Sequence, residues 1–144
     1  MKFLQPPNWP RPKGYAHGVA ATGTQIFLSG VVGWNAQGEF PTGGFAIQVR
    51  QALLNIVAIL AEAKARPEHI VRMTWYVCDK NEYAAAAKEI GVAYREIIGR
   101  HYPAMTVVEV SGLLEPQARI EIEVTAVVPE PVASAGEAKS TSGR

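Results

Sequence analysis

The sequence predicts an α+β protein, a two-layer sandwich in which two helices lie on one face of a mainly antiparallel sheet. Two observations predict this class. Strand-length apolar runs and two longer segments of helical periodicity follow one another in the order β-β-α-β-α-β-β. The chain of 144 residues also suits one domain with a substantial core and is short for two.

The N-terminal segment, residues 1–13, is predicted to be an extended arm. It contains four prolines, each of which removes a backbone donor and disfavours helix. The domain itself is expected to span residues 14–129. A composition rich in Pro, Ala, Ser and Gly predicts a flexible C-terminal tail over residues 130–144.

Residues 15–34 predict a β-hairpin. Two apolar runs, GYAHGVAAT and QIFLSGVVGW, flank a short turn at TGT. Gly30 and Gly33 interrupt the second run, which indicates a bulge or a close approach of another backbone segment.

Two segments predict helices. Residues 45–65 are amphipathic, and Pro67 follows as a stop signal. Residues 81–101 contain an alanine run of high helix propensity, with Asn81 as the expected N-cap. The apolar residues of the first helix recur at helical spacing: Phe45, Val49, Ala52, Leu53, Ile56 and Leu60.

Three alternating segments predict the remaining strands, near residues 69–79, 104–111 and 118–128. The first is long and should be central. Glu121 and Glu123 share one face of the last strand, opposite Ile120 and Ile122. In the first strand the expected faces are Ile70, Arg72, Thr74 and Tyr76 against Val71, Met73, Trp75 and Val77.

Two helices cannot cover both faces of such a sheet. An apolar face left bare, carrying Val71, Met73, Trp75, Val77 or their neighbours, would mark an interface between copies of the chain. The pattern alone therefore predicts oligomerisation.

Composition excludes several classes. The net charge is +1 with no basic stripe, which gives nucleic-acid binding no electrostatic support. The single cysteine, Cys78, cannot form a disulfide within the chain and favours a reducing compartment. No signal-like run and no stretch of about 20 apolar residues is present, so a cytoplasmic protein without membrane contact is expected.

The sequence lacks zinc-binding spacing, a GxGxxG or Walker loop, and a GxSxG elbow. Three isolated residues remain as candidates. His17 is either a half-buried polar side chain at a strand start or a proton shuttle in a pocket. Glu121 is either an outer-face carboxylate or a general base. Tyr15 is either an ordinary tyrosine or a source of a hydroxyl group. His69 and His101 are expected to be exposed.

Several stretches, taken in order, resemble the RidA family, also called YjgF or endoribonuclease L-PSP. They are GYAHGV with IFLSG, then QVRQALLNIVAILAEA, IVRMTWYVCD, YPAMTVVEVSGL and ARIEIEVTAVV. The resemblance covers residues 14–128. It implies a chorismate-mutase-like fold of the bacillus type, in a homotrimer whose sheets form a central barrel. It also implies pockets at the subunit interfaces that hydrolyse reactive imines and enamines to a keto acid and ammonia, with no metal and no other cofactor.

The resemblance places pocket residues on Tyr15, Gly30 and Glu121. At other pocket positions this sequence departs from the family. Met105 stands where the family has an arginine, the best side chain for a bidentate pair with a carboxylate. Further departures are Val31 and His17 for glutamines, Val107 for a cysteine, and a residue near Gly91 for an asparagine.

Three functions remain open. In the first, a hydrolase acts on an imine or enamine other than 2-iminopropanoate. Glu121 then activates water, His17 or Tyr15 exchanges protons with the leaving nitrogen, and Trp34 forms an apolar wall. In the second, the protein is a non-catalytic trimer that binds or senses a small molecule. The third, a ribonuclease, has no support from the charge.

Overall fold

The structure, a computed structural model, describes residues 1–131 and confirms the α+β two-layer architecture. The strands are β1 (Lys2–Leu4), β2 (Gly18–Ala20), β3 (Thr24–Phe27), β4 (Val31–Val32), β5 (Ile70–Val77), β6 (Ala104–Glu109) and β7 (Ile120–Val128). One sheet has the strand order β3-β7-β5-β6, with β4 also paired to β7, and β1 pairs with β2 in a separate ladder. Among these paired strands of the main sheet only β5 and β6 run parallel, so the sheet is mainly antiparallel as predicted.

Strand β7 organises the sheet, because it pairs with β3, β4 and β5. Its predicted alternation is confirmed: Ile120 and Ile122 are fully buried, whereas Glu121 and Glu123 lie on the other face. Each fully buried isoleucine stabilises the fold by roughly 1.5–3 kcal/mol. The same alternation fixes which face presents Glu121.

The helices lie on the face of the sheet that carries the buried isoleucines. Helix α1 (Phe45–Glu62) buries the predicted apolar stripe, together with Gln48, and ends three residues short of residue 65. The predicted helix over 81–101 is two helices, α2 (Lys80–Ala85) and α3 (Ala87–Ile97), because Ala86 departs from helical geometry at ψ 8°. The N-cap is Asp79, not Asn81: its carboxylate accepts hydrogen bonds from the backbone N–H groups of Asn81 and Glu82.

Helix α1 is long and apolar enough, by length and composition alone, to cross a membrane. Core helices commonly pass the same test. Its inner stripe, which includes Leu53, Ile56 and Leu60, has no solvent exposure. We therefore regard α1 as the core helix of the domain.

The predicted hairpin within residues 15–34 is wrong. Strand β2 pairs with β1 from the N-terminal arm, and β3 pairs with β7. Gly23 explains the divergence. Its φ is 148°, and a Cβ there would lie 2.1 Å from the backbone oxygen of Val128, so the chain passes close against the end of β7. The longer strand β7 supplies more hydrogen bonds to β3 than the short β2 could.

Within the arm, residues 1–13, the segment Lys2–Leu4 is the paired strand β1. At the C-terminal end of the described residues, the carboxylate of Glu130 accepts a hydrogen bond from the hydroxyl of Thr24 at 2.7 Å. The predicted tail lies, from residue 132 onward, outside the described residues.

A β-bulge in β5 places Ile70 on a different face of the sheet from the one predicted. Ile70 is fully buried, on the same side as Met73 and Trp75, whereas alternation placed it on the opposite side. The register against β7 shifts between Ile70 and Arg72, so Val71 is the extra residue. One inserted residue reverses the alternation on one side of the bulge.

The expectation of a bare apolar face on β5 is also wrong. Met73, Trp75 and Val77 are all buried in the core beneath the helices. The open face is mostly polar and carries Arg72, Thr74, Tyr76, Glu121 and Glu123. It also carries Phe27, which is 70% exposed and is its largest apolar side chain.

Candidate functional site

The predicted site residues fall into two groups that lie toward opposite edges of the main sheet. One group lies around β6 and contains Tyr15, His17, Met105 and Val107. The other lies around β3 and β4 and contains Gly30, Val31, Trp34 and Glu121.

The first group is built on the segment that precedes β2. Ala16 forms a parallel bridge to Ala104 and donates its N–H to the backbone oxygen of Pro103 at 2.9 Å. This pairing holds Tyr15 beside β6, where it lines a cavity of about 320 Å³ together with Met105 and Val107. The cavity is open, so Met105 does not close it.

His17 lies next to this cavity but not in it. Its ring packs edge-on against Tyr15, with ring centroids 5.7 Å apart, and against Trp9 at 5.1 Å. His17 and Tyr15 also line a separate cleft of about 330 Å³ beneath the N-terminal arm. Tyr15 therefore belongs to both spaces, and His17 is exposed in one.

The other two histidines are not exposed as predicted. The N–H of Arg66 donates to Nδ1 of His69 at 2.9 Å. His101 is half-buried, and its Nε2–H donates to the backbone oxygen of Ile70 at 2.6 Å. Both side chains are held by hydrogen bonds to the backbone, local for His69 and long-range for His101, which explains them without a catalytic role.

The second group is built on a close contact between Gly30 and Glu121. A Cβ at Gly30 would lie 2.6 Å from Cδ of Glu121 and 2.9 Å from its Oε2, so the carboxylate packs on the glycine backbone. The hydrogen bonds and ion pairs within residues 1–131 do not include this carboxylate. By contrast, Glu123 accepts a hydrogen bond from the hydroxyl of Tyr76 at 3.4 Å.

Val31 and Trp34 line a wide cleft of about 670 Å³ beside Gly30. Trp34 is 37% exposed. Its ring is tilted against Phe40, with centroids 5.8 Å apart. The amide of Asn55 fixes this loop, because its Nδ2 donates to the backbone oxygens of Val32 and Trp34 at 3.0 and 2.7 Å.

The two groups do not meet within one chain. Val31 is in register with Ile122, which is in register with Trp75 and then Val107. Three strand spacings separate Val31 from Val107 by about 14 Å. Met105 points to the helix side, as its register partner Met73 does, whereas Glu121 points to the open face. A site with all of these residues needs two copies of the chain.

A second cavity, of about 440 Å³, lies beside Met105 between β5, β6 and α3. Sequence reasoning named Met105 and the position near Gly91, which both line it, but missed its four aromatic residues, Trp75, Tyr83, Tyr94 and Tyr102. The spacing of Tyr83, Ile90 and Tyr94 along the two helices was a usable signal, because it aligns their side chains toward one region.

Tyr83 and Tyr94, which line this cavity, are neutral near pH 7. Burial raises the pKa of Tyr83 and, more strongly, that of Tyr94 above the ordinary value of 10.0. Tyr94 donates its hydroxyl hydrogen to the backbone oxygen of His101 at 2.6 Å and stacks on Tyr102 at 5.5 Å. Among residues 1–131, no three His, Cys, Asp or Glu side chains are grouped as a metal site would require.

Comparison with known proteins gives one consistent result. The family model described as Endoribonuclease L-PSP matches residues 9–128. A RutC family protein of Synechocystis sp. is 33% identical over 135 residues, which cover 90% of this chain and 98% of the relative. A 2-iminobutanoate/2-iminopropanoate deaminase of Dermatophagoides farinae is 27% identical over 128 residues, covering 88% and 96%. The solved structure of the Rid family protein YyfB of Yersinia pestis matches with a TM-score of 0.73 at 30% identity, covering 88% and 98%.

Proposed function

Because the chain belongs to the endoribonuclease L-PSP family, we propose that it is a RidA-like hydrolase that cleaves the C–N bond of an imine or enamine and releases ammonia. The relative named as a 2-iminobutanoate/2-iminopropanoate deaminase supports this reaction class. We expect the substrate to differ from 2-iminopropanoate, because the sequence resemblance places Met105 where the family has a carboxylate-binding arginine.

The packing of Glu121 on Gly30 carries this proposal. A carboxylate held against a glycine backbone has a defined position. Because no other side chain among residues 1–131 bonds to it, its oxygens are free to accept a hydrogen bond from water. A positioned carboxylate of this kind is suited to general-base chemistry.

The reaction balances without a cofactor. An enamine first tautomerises to its imine. Water then adds to the C=N carbon: one water proton passes to Glu121, and the imine nitrogen takes a proton from His17 or Tyr15, which gives the carbinolamine. As the C–N bond breaks, the nitrogen takes the proton held by Glu121 and leaves as ammonia. The hydroxyl returns its proton to His17 or Tyr15 and becomes the carbonyl of the product, so R₂C=NH and H₂O give R₂C=O and NH₃.

The proposed assembly is a homotrimer, expected in the cytoplasm, with the sites between subunits. The separation of Glu121 from Tyr15 and His17 supports it, because two copies can bring the β3–β4 side of one chain to the β6 side of the next. Head-to-tail contacts of this type close into a ring when the rotation between copies permits. Phe27, 70% exposed on the open face, is expected to be buried in that ring.

A screen of ammonia release tests the proposed reaction. We expect the unmodified protein to release ammonia from at least one member of a panel of imines and enamines with apolar or aromatic substituents. Glu121→Gln should lower that rate by about 10²–10⁴-fold, the usual contribution of a general base. Glu123→Gln is the matched control: the same change two residues along the same strand should leave the rate within about twofold, since Glu123 has no role in the proposed chemistry.

Equal loss in the two glutamine variants would contradict a specific role for Glu121. Failure of the unmodified protein to release ammonia from any substrate of the panel would instead favour the alternative function, a non-catalytic trimeric protein that binds or senses a small molecule. Glu121, His17 and Tyr15 do not converge within one chain, so this alternative applies if the assembly does not bring them together either.

A second experiment concerns the substitution at Met105. We expect weak or absent turnover of enzymatically generated 2-iminopropanoate, because no guanidinium lies on β6 to bind the carboxylate. Met105→Arg should raise kcat/KM for this substrate by about tenfold or more, because an arginine forms a strong, charge-assisted bidentate hydrogen-bond pair with a carboxylate. Met105→Leu is the control and should give no increase. Efficient turnover by the unmodified protein would refute this account of Met105.

A further inference from the structure

The charged residues that line the aromatic cavity beside Met105 are all positive. Of the residues that line its volume of about 440 Å³, the only charged ones are Lys13 and Arg95, and no acidic residue lines it. The ion pairs among residues 1–131 involve Arg50, Arg66 and Arg119, so neither of the two cavity cations is neutralised by a carboxylate. The cavity is therefore an apolar space with unpaired positive charge at its border.

The position of Arg95 depends on a glycine. Gly91 lies one helical turn before Arg95 on α3, and a Cβ there would lie 3.2 Å from Nη1 of the arginine. The guanidinium thus lies over the backbone of Gly91 at the cavity wall. Glycine is among the least favourable residues inside a helix. A basic residue in the last turn is favoured by the helix dipole, but that effect does not require the side chain to turn toward the cavity.

A second polar group in the cavity wall also lacks a partner. The indole Nε1–H of Trp75 has no hydrogen-bond acceptor within the described residues, although Trp75 is only 2% exposed. Buried donors are normally paired. That donor has almost no accessible surface, so it is the two unpaired cations at the cavity border that favour a ligand with negative charge.

We propose that this cavity binds an organic carboxylate with a flat apolar body, and that Arg95 on α3 anchors its carboxylate. The inference rests on the proposed function for the identity of the site and extends it to the class of substrate. The stacked pair of Tyr94 and Tyr102 packs against the apolar body, with ring planes inclined by only 11°. Met105 adds apolar contact surface where a guanidinium would repel Arg95.

This anchor explains why a small imino acid fits poorly. The guanidinium of Arg95 reaches the cavity from the helix layer, whereas Met105 lies on the sheet. A carboxylate bound at Arg95 needs an intervening apolar body to place its reacting carbon beside β6. A three-carbon imino acid has no such body.

Calorimetric titration with three non-reacting probes tests the anchor. They are 3-phenylpropanoate, its uncharged analogue 3-phenylpropanamide, and propanoate, which lacks the ring. We expect the unmodified protein to bind 3-phenylpropanoate at least about tenfold more tightly than either of the others, because both charge and apolar area contribute. Arg95→Gln should weaken 3-phenylpropanoate about tenfold or more and leave the amide unchanged.

Arg100→Gln is the matched control. It removes the same charge from a second arginine, five residues along the chain; both arginines are exposed, but only Arg95 lines the cavity. Arg100→Gln should change the affinity for 3-phenylpropanoate by less than about twofold, because Arg100 makes no contact with the cavity and its charge is screened by salt. Circular dichroism should show both variants folded, since glutamine retains high helix propensity at position 95 in α3 and Arg100 is an exposed residue outside the helix.

Each other result overturns the proposal. Equal affinity for acid and amide would exclude a carboxylate anchor, and no binding of 3-phenylpropanoate would exclude the ligand class. If Arg95→Gln and Arg100→Gln weakened the affinity for 3-phenylpropanoate equally, the cause would be the loss of one positive charge from the protein, not the loss of an anchor in the cavity. These titrations need no turnover, so an Arg95-dependent affinity without any ammonia release would refute the hydrolase and leave the anchor standing.

Discussion

An alanine at Gly33 is expected to lower the free energy of unfolding by roughly 2–4 kcal/mol. Its Cβ would lie 2.2 Å from the backbone oxygen of Gln48, a distance that requires the loop after β4 or helix α1 to move. The atoms that the new Cβ would meet are backbone atoms of Gln48, so no flexible side chain can move aside to relieve the clash. The close approach predicted from the glycines of residues 30–33 is therefore a contact between a strand end and the core helix.

A shift at this point also disturbs a buried amide. Gln48 is 6% exposed and ties α1 to the start of β7. Its Nε2 donates to the backbone oxygen of Gln117 at 2.9 Å, and its Oε1 accepts from the N–H of Arg119 at 2.9 Å. A buried amide that loses a partner destabilises the fold by about 1–3 kcal/mol. The start of β7 also positions Glu121, so activity should fall together with stability.

Urea unfolding at one fixed protein concentration measures the effect of Gly33→Ala, because assembly would otherwise change the midpoint. Gly112→Ala is the control: a Cβ there meets nothing within 4 Å, and Gly112 is not among the glycines with positive φ. It should change stability by less than about 0.5 kcal/mol. Equal midpoints for the two variants would show that the loop after β4 yields easily.

Gly30→Ala is expected to lower ammonia release by about 10²-fold while leaving stability within about 1 kcal/mol of the original. Here the Cβ would meet Cδ, Cγ and Oε2 of Glu121, at 2.6, 2.9 and 2.9 Å. These atoms belong to a flexible side chain on the open face, so the carboxylate moves aside and the backbone stays. The displaced carboxylate no longer holds water in the position that the proposed reaction requires.

A double-mutant cycle separates this cause from a general distortion. If Gly30 acts only by allowing Glu121 to pack on it, Gly30→Ala combined with Glu121→Gln should be no slower than Glu121→Gln alone. Additive losses would mean that the alanine damages the site by another route. Unfolding midpoints measured on the same samples show whether the loss in rate is independent of stability.

Features that depend on periodicity were predictable from the sequence. The buried stripe of α1 and the alternation of β7 follow from apolar spacing, and burial selects them strongly. Because the alternation of β7 is readable in the sequence, the face of the strand that carries Glu121 was predictable. The resemblance also placed Gly30 and Glu121 in one pocket, and the structure brings these two residues into contact.

Features that depend on one residue or on distant pairing were not predictable. The single inserted residue Val71 reverses the face of Ile70, and periodicity cannot reveal an insertion in advance. Strand β2 pairs with β1 rather than β3, because that choice depends on what β7 offers elsewhere. The position of Arg95 over Gly91 depends on a side-chain conformation, which the sequence alone does not determine.

The separation of the two groups across the sheet has an evolutionary consequence. Substitutions around β6 and α3 reshape the aromatic cavity without touching the packing of Glu121 on Gly30. Changes to the cavity can therefore accumulate in a lineage that keeps the contact between Glu121 and Gly30. Met105 lies on the cavity side, so a change at this position leaves that contact intact.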